Sequence, residues 1–102
     1  MATRRKRDIA PIHPGEILKN EFLEPLELSV NAVSRAIKVP RTRLNDIVRG
    51  RRGITVDTAM RLARYFGTSP QFWMNLQSHY DLEVAEEAFG ERLGREIQPH
   101  AA

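Results

Sequence analysis

Hydrophobic residues recur along this chain at the spacing of α-helices, and no segment shows the alternation that is typical of a β-strand. The clearest segment is residues 55–67, where one helical face carries Ala59, Leu62, Ala63 and Phe66. Thr55 is a good N-cap for this helix, and Gly67 is a good C-terminal stop. The pattern therefore predicts an all-α fold.

The same signals predict four further helices, at about residues 13–25, 29–38, 40–49 and 69–80. Ser29 and Ser69 are the N-caps of the second and the fifth helix, and Gly50 stops the third. The fifth helix either extends beyond residue 80 or restarts before Gly90, so the fold has five or six helices. The inward faces of the first three helices are predicted to carry Ile17, Leu18, Phe22, Leu23 and Leu26, then Val30, Val33, Ala36 and Ile37, then Leu44, Ile47 and Val48.

The chain is predicted to form one domain, because 102 residues with 41% hydrophobic content supply one modest helical core. Residues 1–11 are expected to be a disordered basic arm, residues 12–93 the folded domain, and residues 94–102 a flexible tail. The sequence contains no cysteine, and no apolar run approaches the roughly 20 residues that span a bilayer. These features predict a cytoplasmic protein that does not enter a membrane.

Charge is strongly segregated along the chain, although the formal net charge is only +3. Residues 35–64 contain nine basic and two acidic residues, whereas residues 8–34 contain one basic and five acidic residues. Residues 65–80 carry no charge, and the segment after them is acidic again. Because most of the nine bases lack a local acidic partner, the middle segment is predicted to bind nucleic acid, with internal charge pairing as the alternative.

Residues 29–50 have the organisation of a helix-turn-helix unit, with two short helices, a three- to four-residue turn and a basic glycine loop at the end. When Leu44 and Ile47 point inward, the outward arc of the second of these helices is polar. It contains Thr42, Asn45, Asp46 and Arg49, with Arg41 and Arg43 on its flanks. Arginine reads guanine, asparagine reads adenine, threonine contacts the thymine methyl group, and aspartate accepts from cytosine. This helix is therefore predicted to read base edges in double-stranded DNA.

Asp46 has an alternative role within the same helix. It lies three residues from both Arg43 and Arg49, which is the spacing of an intrahelical ion pair. The aspartate is therefore expected either to read a base or to hold one of these arginines in place.

The surroundings of the predicted recognition helix suit contacts to phosphate. Arg51 and Arg52 lie in the glycine loop, while Ser29 and Asn31 lie at the N-terminus of the preceding helix, where backbone N–H groups attract an anion. Solvated loop charge is the alternative for the two arginines.

Apolar residues in the last third of the chain exceed what one small core needs, which predicts a homodimer. The predicted dimer interface consists of Phe72, Trp73, Leu76, Tyr80, Leu82, Val84 and Phe89. For Phe72 and Trp73, packing in the core or at the dimer interface is favoured over base stacking, because both lie on an apolar helical face outside the basic segment.

Candidate catalytic groups are few. His13, His79 and His100 lack the spacing of metal ligands, and the adjacent Glu86 and Glu87 point in different directions on a helix. The sequence contains neither a phosphate-binding glycine loop that ends in lysine nor a serine elbow. It therefore predicts no enzymatic activity, no metal and no cofactor.

Four segments carry a family resemblance: residues 13–18 (HPGEIL), 39–44 (VPRTRL), 50–55 (GRRGIT) and 66–73 (FGTSPQFW). Together they resemble the HigA/VapI antitoxins, which belong to the phage-repressor-like (XRE) helix-turn-helix class. The resemblance implies a compact five-helix domain that dimerises on DNA and represses its own operon. It also implies a partner, a HigB-like ribonuclease toxin that cleaves messenger RNA. A stand-alone regulator without a toxin is the alternative, and a single-stranded RNA binder is disfavoured because exposed aromatic platforms are lacking.

The resemblance also assigns positions within the helix-turn-helix unit. It places Arg41, Thr42, Arg43, Asn45 and Asp46 on the recognition helix, and it places Arg49 and Arg51 near phosphate. The turn of related domains commonly has glycine where this chain has Lys38. We therefore expect either a left-handed lysine or an altered turn at this position.

The acidic residues in and after the first helix suit a basic partner. They are Glu16, Glu21, Glu24 and Glu27. Because a ribonuclease needs a basic surface to hold RNA, the toxin is predicted to bind this helix rather than the DNA-reading helix. A plain solvated helix face is the alternative.

Overall fold

The computed structural model describes residues 10–101, so the predicted basic arm falls almost entirely outside it. The elements in chain order are α1 (Pro14–Ile17) with a π-helical continuation (Leu18–Leu23), α2 (Val30–Ile37), α3 (Arg41–Val48), α4 (Val56–Phe66) and α5 (Pro70–Glu96). The predicted all-α class and the five helices are confirmed. No helix within these described residues is long and apolar enough to cross a membrane.

Side-chain caps define where three of the helices begin. A hydroxyl accepts a hydrogen bond from the backbone N–H three residues ahead at Ser29, Thr55 and Ser69. Each bond satisfies one of the N–H groups that a first helical turn leaves unpaired. Gly67 ends α4 in the left-handed conformation, with φ of 77°. The predicted caps and this predicted stop are therefore confirmed.

The first helix ends earlier than its apolar pattern predicts. The N–H of Glu24 donates to the carbonyl of Lys19 in a π-type turn, and Pro25 follows directly. Glu27 then takes a left-handed backbone with φ of 56°, which redirects the chain. Leu26 consequently leaves the inward face, and 56% of its surface is exposed.

The core forms where the first helix, α4 and α5 meet. Trp73 is completely buried, and its ring lies 5.0 Å from that of Phe22 and 4.9 Å from that of Phe72. The indole N–H donates to the Thr68 hydroxyl at 2.8 Å, so the buried polar atom is satisfied. Of the two packing roles predicted for Trp73, core or dimer interface, the structure therefore has the core, because its own chain encloses the side chain.

The inward face of α2 also differs from the prediction at one position. Ala36 is exposed, whereas Ser34 is buried and donates its hydroxyl to the Asn31 carbonyl at 2.9 Å. This internal bond allows a hydroxyl to occupy a core position, because it removes the cost of burying an unpaired polar group.

Helix α5 is much longer than its predicted core, but it is not one regular helix, because Phe89 inside it has a non-helical backbone. It runs to Glu96 across a kink at Phe89, where φ is −149°, and so passes the predicted end of the domain at residue 93. The part of α5 after Asp81, its distal half, contributes no buried side chain, and Leu82 at its start is 68% exposed. By contrast, Phe72 and Leu76 pack against the core of their own chain, and Tyr80 packs against His13. The predicted dimer residues are thus divided between the core and the exposed distal half of α5.

Gly15 allows α1 to lie directly on the end of α3. A Cβ atom at this position would lie 1.8 Å from the Ile47 carbonyl oxygen and 3.0 Å from the Val48 Cα atom. Both obstacles are backbone atoms, so a larger residue is accommodated only if one helix moves. The position of α3 against α1 therefore depends on the absence of a side chain at Gly15.

We expect Gly15→Ala to lower the free energy of unfolding by about 2–3 kcal/mol, because overpacked sites force backbone shifts. Gly94→Ala is the matched control, since a Cβ atom there meets nothing within 4 Å. The control should change stability by less than about 1 kcal/mol, in the favourable direction of helix propensity. Urea unfolding of both variants checks this, and equal effects would contradict the close-approach argument.

Candidate nucleic-acid interface

The turn between α2 and α3 keeps a left-handed residue although no glycine is present. Lys38 has φ of 65° and ψ of 42°, and its N–H donates to the Ser34 carbonyl at the end of α2. The N–H of Val39 donates to the same carbonyl at 3.1 Å. Of the two outcomes expected at this position, the structure therefore has the left-handed lysine, at the steric cost that glycine avoids.

Helix α3 presents a polar surface on the side opposite the core. Leu44 and Ile47 are buried, as predicted. The remaining predicted contact residues lie on the outer side, where Arg41, Thr42 and Arg49 are exposed and Arg43, Asn45 and Asp46 are half-buried. The structure thus brings these six polar side chains together on one helix face.

Asp46 makes an ion pair that the sequence did not predict. Its Oδ1 atom lies 3.2 Å from Nη2 of Arg51, and its backbone carbonyl accepts from the Arg51 N–H at 2.8 Å. The expected intrahelical pair with Arg43 or Arg49 is therefore wrong. Asp46 instead ties α3 to the first arginine of the basic loop.

A chain of side-chain hydrogen bonds connects α3 to the two helices beside it. Nη1 of Arg43 lies 3.3 Å from Oδ2 of Asp57, in the first turn of α4. Nε of Arg61 lies 3.1 Å from both oxygens of Asp57, and its Nη1 donates to the Ile37 carbonyl at 2.9 Å. This chain of hydrogen bonds therefore links α3 through α4 to the end of α2.

The basic loop is held from behind by Gln77 of α5. The Oε1 atom of Gln77 accepts from the Ile54 N–H at 2.6 Å, and its Nε2 donates to Asp81 at 2.9 Å. Gln77 is buried, and a Cβ atom at Gly53 would lie 3.0 Å from its amide nitrogen. Sequence reasoning missed this residue. The available signal was a glutamine one helical turn after Trp73, on an otherwise apolar face.

His13 joins the start of α1 to the same loop. Its buried ring accepts a hydrogen bond from the Gly15 N–H at Nδ1, 2.9 Å away, and bonds the backbone of Arg52. The ring also packs edge-on against Tyr80 of α5, with centroids 4.8 Å apart. Sequence reasoning placed His13 at the start of the first helix and rejected it as a metal ligand, but it did not predict these contacts. In the structure it is a helix cap that positions a loop.

Burial lowers the pKa of His13 below its ordinary value of 6.5. Glu16, Asp81 and the hydrogen bond to Arg52 act in the opposite direction, but desolvation outweighs them. The neutral ring is thus the form that the fold favours. This form is also the one that the cap requires, because Nδ1 must keep its lone pair free to accept a hydrogen bond from the Gly15 N–H.

The remaining predicted phosphate contacts are also on the surface. Arg51 and Arg52 are exposed in the loop, and Ser29 and Asn31 are exposed at the N-terminus of α2. Ser29 uses its hydroxyl oxygen for the helix cap.

Comparison with known proteins identifies relatives across most of the chain. Residues 20–73 match the helix-turn-helix family. The chain is 52% identical over 82 residues to virulence-associated protein I of Dichelobacter nodosus. The matched region covers 80% of this chain and 76% of that protein.

Two solved structures share the fold at high identity. The structure of the Pseudomonas aeruginosa antitoxin HigA with the higBA promoter superposes with a TM-score of 0.86 at 55% identity, covering 89% of this chain and 99% of that one. Antitoxin GraA in complex with its operator superposes with a TM-score of 0.87 at 39% identity, covering 97% and 100%.

Stability should fall in mild acid because of His13. Since its pKa is lowered in the folded state, the unfolded chain binds the proton more readily. The contribution of the neutral ring is therefore complete above pH 6.5 and is lost as the pH falls through the folded-state pKa. His13→Asn keeps a capping acceptor that does not titrate in this range. The difference in unfolding free energy between wild type and this variant should shrink from pH 8 to pH 5, and a constant difference would contradict the assignment.

Proposed function

The chain belongs to the helix-turn-helix family that includes virulence-associated protein I and the HigA antitoxins, and we propose that it is an antitoxin that represses its own operon and neutralises an mRNA-cleaving toxin. The observation that carries the proposal is the exposed polar face of α3 beside an arginine loop, on a chain similar to antitoxins solved with promoter or operator DNA. The family consists of DNA-binding regulators rather than enzymes. We assign the activity to the cytoplasm, where operator DNA and messenger RNA are found.

In the proposed complex, α3 enters the major groove. The N-terminal residues of a recognition helix contact base edges, which assigns base reading to Arg41, Thr42, Arg43 and Asn45. Phosphate contacts are assigned to Arg49, Arg51 and Arg52 on one side and to Ser29 and Asn31 on the other. Asp46 is assigned to holding Arg51, because their ion pair occupies its carboxylate.

We expect Arg43→Ala and Asn45→Ala to reduce the preference for operator over non-specific DNA by about 1–3 kcal/mol each, which is the contribution of one base contact. Arg51→Ala should weaken binding to both DNAs about equally, because a phosphate contact carries no sequence information. It should also reduce the steepness of the plot of log K against log salt concentration by about one. Titrations of operator and scrambled DNA at two salt concentrations separate the effects. If all three variants had the same specificity ratio, the base-reading assignment would fail.

The protein is proposed to act as a homodimer through the distal half of α5. This segment exposes apolar side chains that its own core does not cover, namely Leu82, Val84, Phe89 and Leu93, and the exposed Ile97 follows the helix directly. Two helix-turn-helix units are needed because one contacts too few base pairs for useful specificity. Two recognition helices about 34 Å apart fit successive major grooves and require a palindromic operator.

Leu82→Lys should raise the dimer dissociation constant at least about tenfold, since a charge would replace a buried apolar contact. The folded protomer should remain intact because Leu82 is 68% exposed in it. Met60→Lys is the matched control, as Met60 of α4 is exposed to a similar degree outside this segment. Sedimentation at tens of micromolar distinguishes the two variants. A wild type that stays monomeric with and without operator would exclude the dimer.

The toxin is proposed to bind the acidic face formed by Glu16, Glu21, Glu24 and Glu27. All four side chains are exposed, and they lie in or directly after the first helix. An acidic surface complements the basic surface that a ribonuclease uses for RNA, and it speeds encounter more than it adds affinity. Because this face carries none of the residues assigned to DNA, one dimer would be able to hold toxin and operator together.

Reversing charge with Glu21→Lys and Glu24→Lys should slow toxin association severalfold at low salt and leave operator affinity nearly unchanged. The fold should tolerate both changes, because the only ion pair described for them, Lys19–Glu24 at 4.0 Å, is mostly exposed. Raising the salt concentration is the control, because it screens surface charge and should remove most of the difference from wild type. Stopped-flow mixing with a HigB-like ribonuclease toxin tests the double variant. Loss of operator binding with an unaltered toxin rate would overturn the assignment.

A further inference from the structure

Two acidic residues lie within the basic middle of the chain, and each is paired with a different arginine of the proposed DNA surface. Asp46 pairs with Arg51 at 3.2 Å, and Asp57 pairs with Arg43 at 3.3 Å. A carboxylate near DNA repels phosphate, so each aspartate weakens the general attraction to DNA. The two pairs nevertheless differ in what their arginine contacts, because Arg51 is assigned to phosphate and Arg43 to a base.

Asp57 is a fixed point rather than a free side chain. Arg61 holds both of its carboxylate oxygens at 3.1 Å and is itself bonded to the Ile37 carbonyl at 2.9 Å. Asp57 also lies in the first turn of α4, where the helix dipole favours a negative charge. The position of its carboxylate is therefore set by α2 and α4, both of which belong to the folded core.

Arg43 contacts the Asp57 carboxylate through one edge of its guanidinium group. A single nitrogen, Nη1, contacts Asp57, which leaves the other N–H donors of the fork for a base. The side chain is only 32% exposed, so it already lies against the protein instead of sampling solvent. An arginine held in one direction loses less conformational freedom when it binds guanine.

We propose that Asp57 is a positioning residue that aims Arg43 at its base pair and thereby sets the sequence specificity of the recognition helix. The proposal rests on the DNA-binding function proposed above. The Asp57 side chain is 57% exposed, so the pair contributes little to the stability of the fold. Its contribution is the direction that it gives to Arg43, in the way that supporting residues orient groups which contact a ligand directly.

Asp57→Asn keeps the shape of the side chain and removes the charge that holds both arginines. The operator and all of its single-base variants are titrated with wild type, Arg43→Ala, Asp57→Asn and the double variant. The base pair read by Arg43 is the one at which Arg43→Ala loses discrimination. At this pair Asp57→Asn should reduce discrimination five- to tenfold, while the other positions change less than twofold. The double variant should discriminate no less than Arg43→Ala alone.

Asp46→Asn is the matched control, because it removes the other carboxylate of the same basic segment. It frees Arg51, which contacts phosphate, and should strengthen binding to every sequence by a similar factor without altering any base preference. Arg61→Gln provides a second approach that leaves Asp57 in place. By loosening the carboxylate, it should reduce discrimination at the same base pair by a smaller factor.

The outcomes separate this proposal from the function on which it rests. If wild type selected no operator, the DNA-binding function and the positioning role would both be overturned. If wild type selected its operator but Asp57→Asn merely strengthened binding to all sequences equally, Asp57 would be a repulsive charge and only the positioning role would fail. A lower melting temperature with unchanged base preferences would show a purely structural contact and would likewise overturn the proposal.

Discussion

The close approach of Gly15 to the backbone of α3 is the constraint on which the proposed DNA surface depends. A Cβ atom would lie 1.8 Å from the Ile47 carbonyl oxygen, so the two helix ends pack backbone against backbone. This contact seats α3 with Leu44 and Ile47 in the core. The polar residues of the same helix therefore face outward. The surface that they form depends on the close packing of α1 against α3.

Polar side chains then fix the segments that apolar packing leaves loose. His13 caps α1 and bonds the Arg52 backbone, while Gln77 bonds the Ile54 N–H from the other side of the loop. Arg61 performs a similar task for the turn between α2 and α3 through the Ile37 carbonyl. Hydrogen bonds of this kind are directional, so they specify one loop geometry where apolar contacts would allow several. The proposed base and phosphate contacts thus start from a prearranged surface.

The proposed functions occupy separate parts of one small domain. The polar face of α3 and the loop after it are assigned to DNA, the exposed distal half of α5 to a second copy, and the acidic first helix to the toxin. The segregation of charge along the sequence becomes a segregation in space, because the acidic residues 16–27 lie in and after the first helix, whereas the bases of residues 35–64 lie on α2 to α4 and the loops between them. An arrangement of this kind would allow repression and toxin neutralisation to proceed on the same dimer.

The amino-acid sequence by itself determined the helices, their caps and the location of the basic segment. These features depend on residues within about one helical turn of each other, such as Ser29 and the Ala32 N–H that it caps. The α3 face was predictable for the same reason, because helical periodicity relates Leu44 and Ile47 to the polar residues between them.

Only the tertiary structure decided which groups meet across the chain. The sequence left core and dimer packing open for Trp73, and Phe22, more than fifty residues earlier, helps to enclose it in the core. Asp46 was expected to pair within its helix, but the loop brings Arg51 closer. The roles of His13 and of Asp57 likewise depend on partners from other elements. Local spacing carries no information about such contacts, since they arise from how the helices pack and where the chain turns between them.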